Sequence, residues 1–129
     1  MLSKTYLDVA GGGLFLGIFA LAIFIGAVTI LEGFILKFLK WKPSNQPFTD
    51  AFVMNIVSTI AGAIVFAGDQ DLDVRWFIIT WIVTMIVEAT TITLFRKASP
   101  RTFIAPLAIA NIASYLALFG WTYFSGWIF

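Results

Sequence analysis

Cysteine and histidine are both missing from this 129-residue chain. Their absence excludes disulfides, thiol chemistry, histidine-ligated haem and the usual zinc sites. It also leaves no Ser–His or Cys–His pair for nucleophilic catalysis. Charge is nearly as scarce. Eight Lys+Arg and seven Asp+Glu make up 12% of the residues, against about 25% in a soluble domain. Fifteen charged side chains cannot cover the surface of a soluble fold of this size, so a soluble enzyme domain is excluded. Nor do eight cations against seven anions leave a basic excess for nucleic acid. No glycine-rich phosphate loop precedes a helix. What the chain has instead is apolar residues, 60% of the total.

Those residues fall into four long segments. Val9 to Leu31 is free of charge, and its apolar pattern runs past Glu32 to Leu36. Ala51 to Gly68 is uncharged, Trp76 to Phe95 is interrupted only by Glu88, and Thr102 to Phe129 is uncharged. Crossing a hydrocarbon core of roughly 30 Å takes about 20 helical residues, which each segment supplies or nearly supplies. The first is too long for a signal-peptide core and is expected to stay in the mature protein. A transmembrane barrel needs short alternating segments, and these runs are continuously apolar. The expected fold is all-α and integral to the membrane, with four transmembrane helices in a single domain over residues 1–129.

The breaks between segments carry turn and cap chemistry. Lys37 to Asp50 contains two prolines, with Thr49 or Asp50 expected to cap the second helix. Gly68 to Asp73 is acidic, with Asp73 expected to cap the third, and Arg96 to Thr102 is basic. Asp69, Asp71 and Asp73 have the spacing that opens a calcium loop. The twelfth position, however, is Thr80 inside an apolar run, so no metal site is expected and Asp71 is read as a weak ion pair to Arg75.

The second half of the chain lies on the first with an offset of 56 residues. Glu32 falls on Glu88, Asn55 on Asn111 and Ser58 on Ser114. These are the only two glutamates and two of only three asparagines. The implied unit is a two-helix hairpin, E…N-x-x-S, repeated over about 9–67 and 74–129 in parallel orientation. This hairpin resembles segments of small prokaryotic membrane proteins and of cyanobacterial filament-integrity proteins over about half the chain. That resemblance implies a prokaryotic inner or thylakoid-type membrane and no particular activity.

Spacing also supplies geometry. Glu32 and Asn55 are equidistant from the Pro43–Ser44 junction, and Glu88 and Asn111 from Ser99–Pro100. In a tight antiparallel hairpin such residues share a depth. Glu32 should therefore meet Asn55, with Thr29 opposite Ser58, and Glu88 should meet Asn111. A carboxylate in hydrocarbon costs on the order of 3 kcal/mol on insertion scales, so each glutamate must face protein, be protonated, or both. Two readings stand for Glu32, Asn55, Ser58, Glu88, Asn111 and Ser114. They are polar glue fixing hairpin register, or they are a proton or cation site.

Small residues point to close helix packing at Gly13, Gly17, Ser58, Gly62, Ala110, Ala113 and Ala117. The 14 phenylalanines, Phe15, Phe19 and Phe24 among them, are compatible with contacts to lipid, quinone or pigment, and no cofactor is implied. Expected partners are membrane lipids and either other transmembrane subunits or further copies of the chain. The leading functional expectation is a non-catalytic accessory or scaffold subunit of a larger, bioenergetic membrane complex. The alternative is a small oligomeric proton or cation channel or carrier using Glu32 and Glu88.

Orientation follows from Lys/Arg asymmetry. Lys37, Lys40, Lys42, Arg96, Lys97 and Arg101 flank the first and third loops, while Lys4 and Arg75 lie on the other side. The positive-inside rule puts those loops in the cytoplasm and both termini outside, with Trp76, Trp81, Trp121, Tyr123 and Trp127 toward the outer interface. The cysteine-free background allows a direct check by single-cysteine labelling with an impermeant reagent. Ser3→Cys should react from outside only, and Lys40→Cys and Arg101→Cys from the cytoplasmic side only.

Overall fold

A computed structural model describes residues 4–65 and 74–124, the side chains of 4–16, 74, 76, 122 and 123 apart. It contains α1 (Lys4–Phe38), α2 (Pro47–Val65), α3 (Val74–Arg96), a single 3₁₀ turn (Pro100–Thr102) and α4 (Ile104–Phe124). Gly17–Phe38, Pro47–Val65, Phe77–Arg96 and Ile104–Trp121 are each long and apolar enough to cross a membrane. The protein is thus an all-helical, membrane-spanning bundle. The acidic segment after α2, the Asp73 cap and Trp127 lie outside the described residues.

Short connections force consecutive helices to run antiparallel. α1 packs against α2 and α4, and α3 against the same two, so the four helices stand in a square. The two loop-bearing ends of the hairpins come together at one end of it. There the core is dense: Leu36, Trp41, Ala51, Met54, Ile92, Phe103, Leu107 and Ala110 are buried in one cluster. Outside that cluster, large apolar side chains such as Ile18, Phe34, Ile64, Ile86 and Leu116 are exposed. A soluble protein rarely leaves contiguous apolar surface uncovered on this scale. Four helices apolar enough to span a membrane fit contact with lipid over this surface.

Helix ends differ from the sequence expectation. α2 begins at Pro47, a favoured first helical residue because its missing N–H would be unpaired there anyway. Asp50 N–H bonds the Gln46 carbonyl at 3.0 Å, so Thr49 and Asp50 sit inside the first turn and neither is a cap. Asp50 is released for a tertiary role.

α1 ends in a Schellman turn. Trp41 N–H bonds Leu36 O at 2.9 Å and Lys40 N–H bonds Lys37 O at 3.2 Å, the 6→1 and 5→2 pattern that closes a helix C-terminus. The accompanying apolar contact is supplied by Trp41 and Leu36, both in the buried cluster. The Trp41 ring also lies 5.7 Å from that of Phe103. The motif needs a left-handed residue at its centre, which here is Lys40 at φ 56°. Lys97, just past α3, is likewise left-handed at φ 52°.

Close helix approach falls at one unexpected position. A Cβ on Gly33 would overlap the Phe48 ring across the α1–α2 contact, and Phe34 meets the same ring edge-on at 5.1 Å. By contrast Gly17 and Gly62 have open space where a Cβ would go. Of the alanines assigned to packing, Ala110 is buried, Ala113 half-buried and Ala117 exposed. Among the described residues, Gly17, Gly62 and Ala117 therefore seat no other helix. Gly13 lies in α1, where its surroundings are outside the described side chains.

An L-residue in the left-handed region carries about 1–2 kcal/mol of strain, partly offset in a glycine variant by greater freedom of the unfolded chain. Lys40→Gly should therefore stabilise the bundle by about 0.5–1 kcal/mol, read as a higher unfolding midpoint in detergent.

Candidate functional site

Glu32 on α1 and Glu88 on α3 occupy diagonal corners of the square, both buried. Asn55 Nδ2 donates to Glu32 Oε2 at 2.7 Å, and Asn111 Nδ2 to Glu88 Oε2 at 2.5 Å. Each pair joins the two helices of one hairpin, at the shared depth that the spacing about the turns implied. The same asparagine amides reach back to their own helices, at Ala51 O and Leu107 O.

The serines do something else. Ser114 Oγ lies 2.6 Å from Glu32 Oε1, and Ser58 Oγ 2.9 Å from Glu88 Oε1. Each glutamate thus takes its asparagine from its own hairpin and its serine from the other. Thr29, expected opposite Ser58, makes no hydrogen bond to it; Thr29 Oγ1 is buried without a hydrogen-bond partner among the described residues. A serine one turn from an asparagine points about 60° round the helix from it, since residues three apart on a 3.6-residue turn do not coincide. At a corner of the square, that angle turns the serine toward the other hairpin.

Above the two carboxyls lies a cavity of about 220 Å³. Its walls reach Phe24, Gly62, Thr80 and Leu118, on the side away from the buried cluster. Eight residues separate Glu32 from Phe24 along α1, about 12 Å of helix. Fourteen of its fifteen lining residues form pairs 56 apart in sequence, among them Val28 with Thr84 and Thr59 with Tyr115. Neutral polar groups line the way: Thr59, Thr80, Thr84 and Tyr115, with the Thr84 and Tyr115 hydroxyls 2.9 Å apart across α3 and α4. Below the carboxyls the space closes. Leu36 with Ile92, Ala51 with Leu107, and Met54 with Ala110 fill it, again residues 56 apart.

The chemistry of the four bonds is permissive of a proton. An asparagine amide donates to a carboxyl oxygen whether or not the group is ionised. Each serine oxygen has a second partner on its own helix, Ser114 to Ala110 O at 3.1 Å and Ser58 to Asn55 O at 3.3 Å. A hydroxyl has one proton and two lone pairs. It can therefore donate to a carboxylate, or donate to the backbone carbonyl and accept from a protonated acid. Neither state leaves a polar atom stranded.

A second polar cluster was not legible as one from the sequence. Asp50, fully buried, accepts from Trp41 Nε1 at 2.8 Å and from Ser44 Oγ at 2.6 Å. Its other oxygen takes the Arg96 guanidinium, Nε at 2.8 Å and the nearer terminal nitrogen at 2.6 Å. Arg96 also reaches Gln46 Oε1 at 3.3 Å. One carboxylate thus ties the first loop, α2 and the end of α3 together. The available signal was charge balance: Asp50 is the only acid between Glu32 and Asp69, on a side carrying six cations.

No protein-family model, curated protein or solved structure matches the chain. Fold and site together define its class: a four-helix, membrane-spanning protein with two carboxyl groups enclosed between its helices.

If the asparagines are what make burial of the acids tolerable, their loss should exceed that of an ordinary interhelical bond, roughly 0.6–2 kcal/mol. Asn55→Leu, which strands Glu32, should destabilise the bundle by about 2–3 kcal/mol, and Asn55→Gln by clearly less. Unfolding in a denaturing-detergent titration ranks the two variants.

Proposed function

We propose that this chain is a small membrane carrier that binds a proton or a cation at Glu32 and Glu88, from a cavity entered on the outer side. The observation that carries this reading is the crossed hydrogen bonding, in which each carboxyl keeps its partners in both protonation states. A purely structural polar clamp gains nothing from that tolerance, whereas a site that loads and unloads charge requires it. The cavity adds an approach lined by hydroxyl groups, and the packed cluster beneath the carboxyls favours a carrier over an open channel. Two intramembrane acids facing one cavity are functional candidates by default.

The reading includes a tandem duplication of an E…N-x-x-S hairpin, with the loops between α1 and α2 and between α3 and α4 in the cytoplasm and both termini outside. Supporting the duplication are the paired cavity walls and the paired core residues, all at the 56-residue offset. Supporting the orientation are the six cations at the loop end. A prokaryotic inner or thylakoid-type membrane is the setting that the hairpin's resemblance favours.

A second reading, a non-catalytic accessory subunit or scaffold, has one observation in its favour. α1 is 35 residues long, about 52 Å of helix, well beyond a single crossing, which leaves a length of helix for contact with another transmembrane subunit or a second copy.

Proteoliposome flux separates the two. The wild-type chain should dissipate a proton or monovalent-cation gradient, and Glu32→Gln with Glu88→Gln should abolish this. Absence of flux in the wild type, or flux unchanged in the double variant, leaves the accessory reading.

A further inference from the structure

A second space adjoins the cavity above the carboxyls. Between α1 and α4 runs a groove of about 560 Å³ lined by Ala20, Ile23, Ala27, Leu31, Ala117 and Trp121. It shares Phe24, Val28, Ser114 and Leu118 with the cavity. The groove lies on the outside of the bundle, where Ile23, Ala27, Leu31, Ala117 and Trp121 are exposed, so its mouth is the hydrocarbon of the bilayer. Ser114, at its inner end, is the residue whose hydroxyl touches Glu32. The lipid-facing groove and the carboxyl-lined cavity are thus neighbours with four residues in common.

We propose that groove and cavity act together to admit a lipophilic organic cation from the bilayer, its charge held at Glu32 and Glu88 and its apolar body in the α1–α4 groove. The proposal rests on the carrier reading and names its substrate class. Charge complementarity selects the head: two carboxyls stand at the inner end, and neither Lys nor Arg is among the residues lining cavity or groove. An anion would meet like charge there. A small hydrated metal ion would have no use for an apolar entrance. Size selects the body, because cavity and groove together reach the range of roughly 300–1,000 Å³ typical of small-molecule sites. Aromatic faces complete the match. Phe24 lies where groove meets cavity, Tyr115 on the cavity wall and Trp121 at the outer end of the groove, and ring faces attract organic cations. Small side chains at Ala20, Ala27 and Ala117 keep the groove open, which gives Ala117 a role that helix packing does not.

Tetraphenylphosphonium is a suitable probe, with isosteric but uncharged tetraphenylsilane as control. Binding to the full chain in nanodiscs can be followed by tryptophan fluorescence and by equilibrium dialysis. The wild type should bind the cation saturably and the silane without saturation. Glu32→Gln should weaken cation binding about tenfold or more, the effect of removing one close charge partner. Ala117→Phe, which fills the groove away from the carboxyls, should do the same while leaving small-cation or proton flux intact. Size-exclusion profiles and unfolding midpoints exclude misfolding, and Ala27→Phe serves as a second groove variant if Ala117→Phe fails to assemble. Saturable binding that neither variant affects overturns the proposal, as does equal binding of the silane. No binding by a wild type that still carries flux overturns the lipophilic substrate and leaves the carrier reading standing. No binding and no flux overturns both.

Discussion

A carboxyl group inside hydrocarbon must be enclosed and hydrogen-bonded, and this chain has two to enclose. The rest of the bundle is arranged around that requirement. Asparagine from the same hairpin satisfies one oxygen of each glutamate, and serine from the other hairpin satisfies the second. The first kind of bond sets the register within a hairpin. The second kind sets one hairpin against the other, since Glu32 and Ser114 are 82 residues apart in sequence. Neither hairpin alone can supply a full set of partners. The close α1–α2 approach at Gly33, next to Glu32, belongs to the same arrangement because it brings α2 within reach of the acid.

The two ends of the bundle are built from different interactions. At the loop end, Asp50 gathers Arg96, Trp41 and Ser44, and Trp41 in turn closes α1 and rests on Phe103. Asp50 is the fully buried member of this pair and Arg96 is partly exposed, so removing the arginine strands a buried carboxylate. Toward the other end lie the Thr84–Tyr115 hydroxyl bridge and the edge-on meeting of Phe77 and Phe119 at 5.5 Å. Between the ends the packing changes from filled to hollow at the level of the two carboxyls.

The two ends also differ in symmetry. Around the glutamates, residues 56 apart occupy matching places in the cavity wall and in the core beneath it. The Asp50–Arg96 cluster has no counterpart, because the residues 56 positions after Asp50 and Trp41 are Pro106 and Lys97. Proline offers no carboxylate and lysine no indole. A groove runs between α1 and α4, the side where the first and last described helices meet.

The sequence by itself determined the solvent, the number of helices and the depth of the polar groups. Composition excludes water as the surroundings, run length counts the crossings, and equal distance from a turn fixes which residues share a level. All three are properties of one helix or one hairpin, so local periodicity carries them. Which way the serines point, that Asp50 is a tertiary anchor where a cap was expected, and that Gly33 rather than Gly17 or Gly62 is the close approach were decided only by the tertiary structure. Each depends on the angle at which a helix is turned toward neighbours distant in sequence. Four helices that are apolar on every side carry no amphipathic stripe to reveal that angle. In lipid the hydrophobic effect does not choose a face, and the choice falls to hydrogen bonds and close packing between particular side chains, which exist only once all four helices are together.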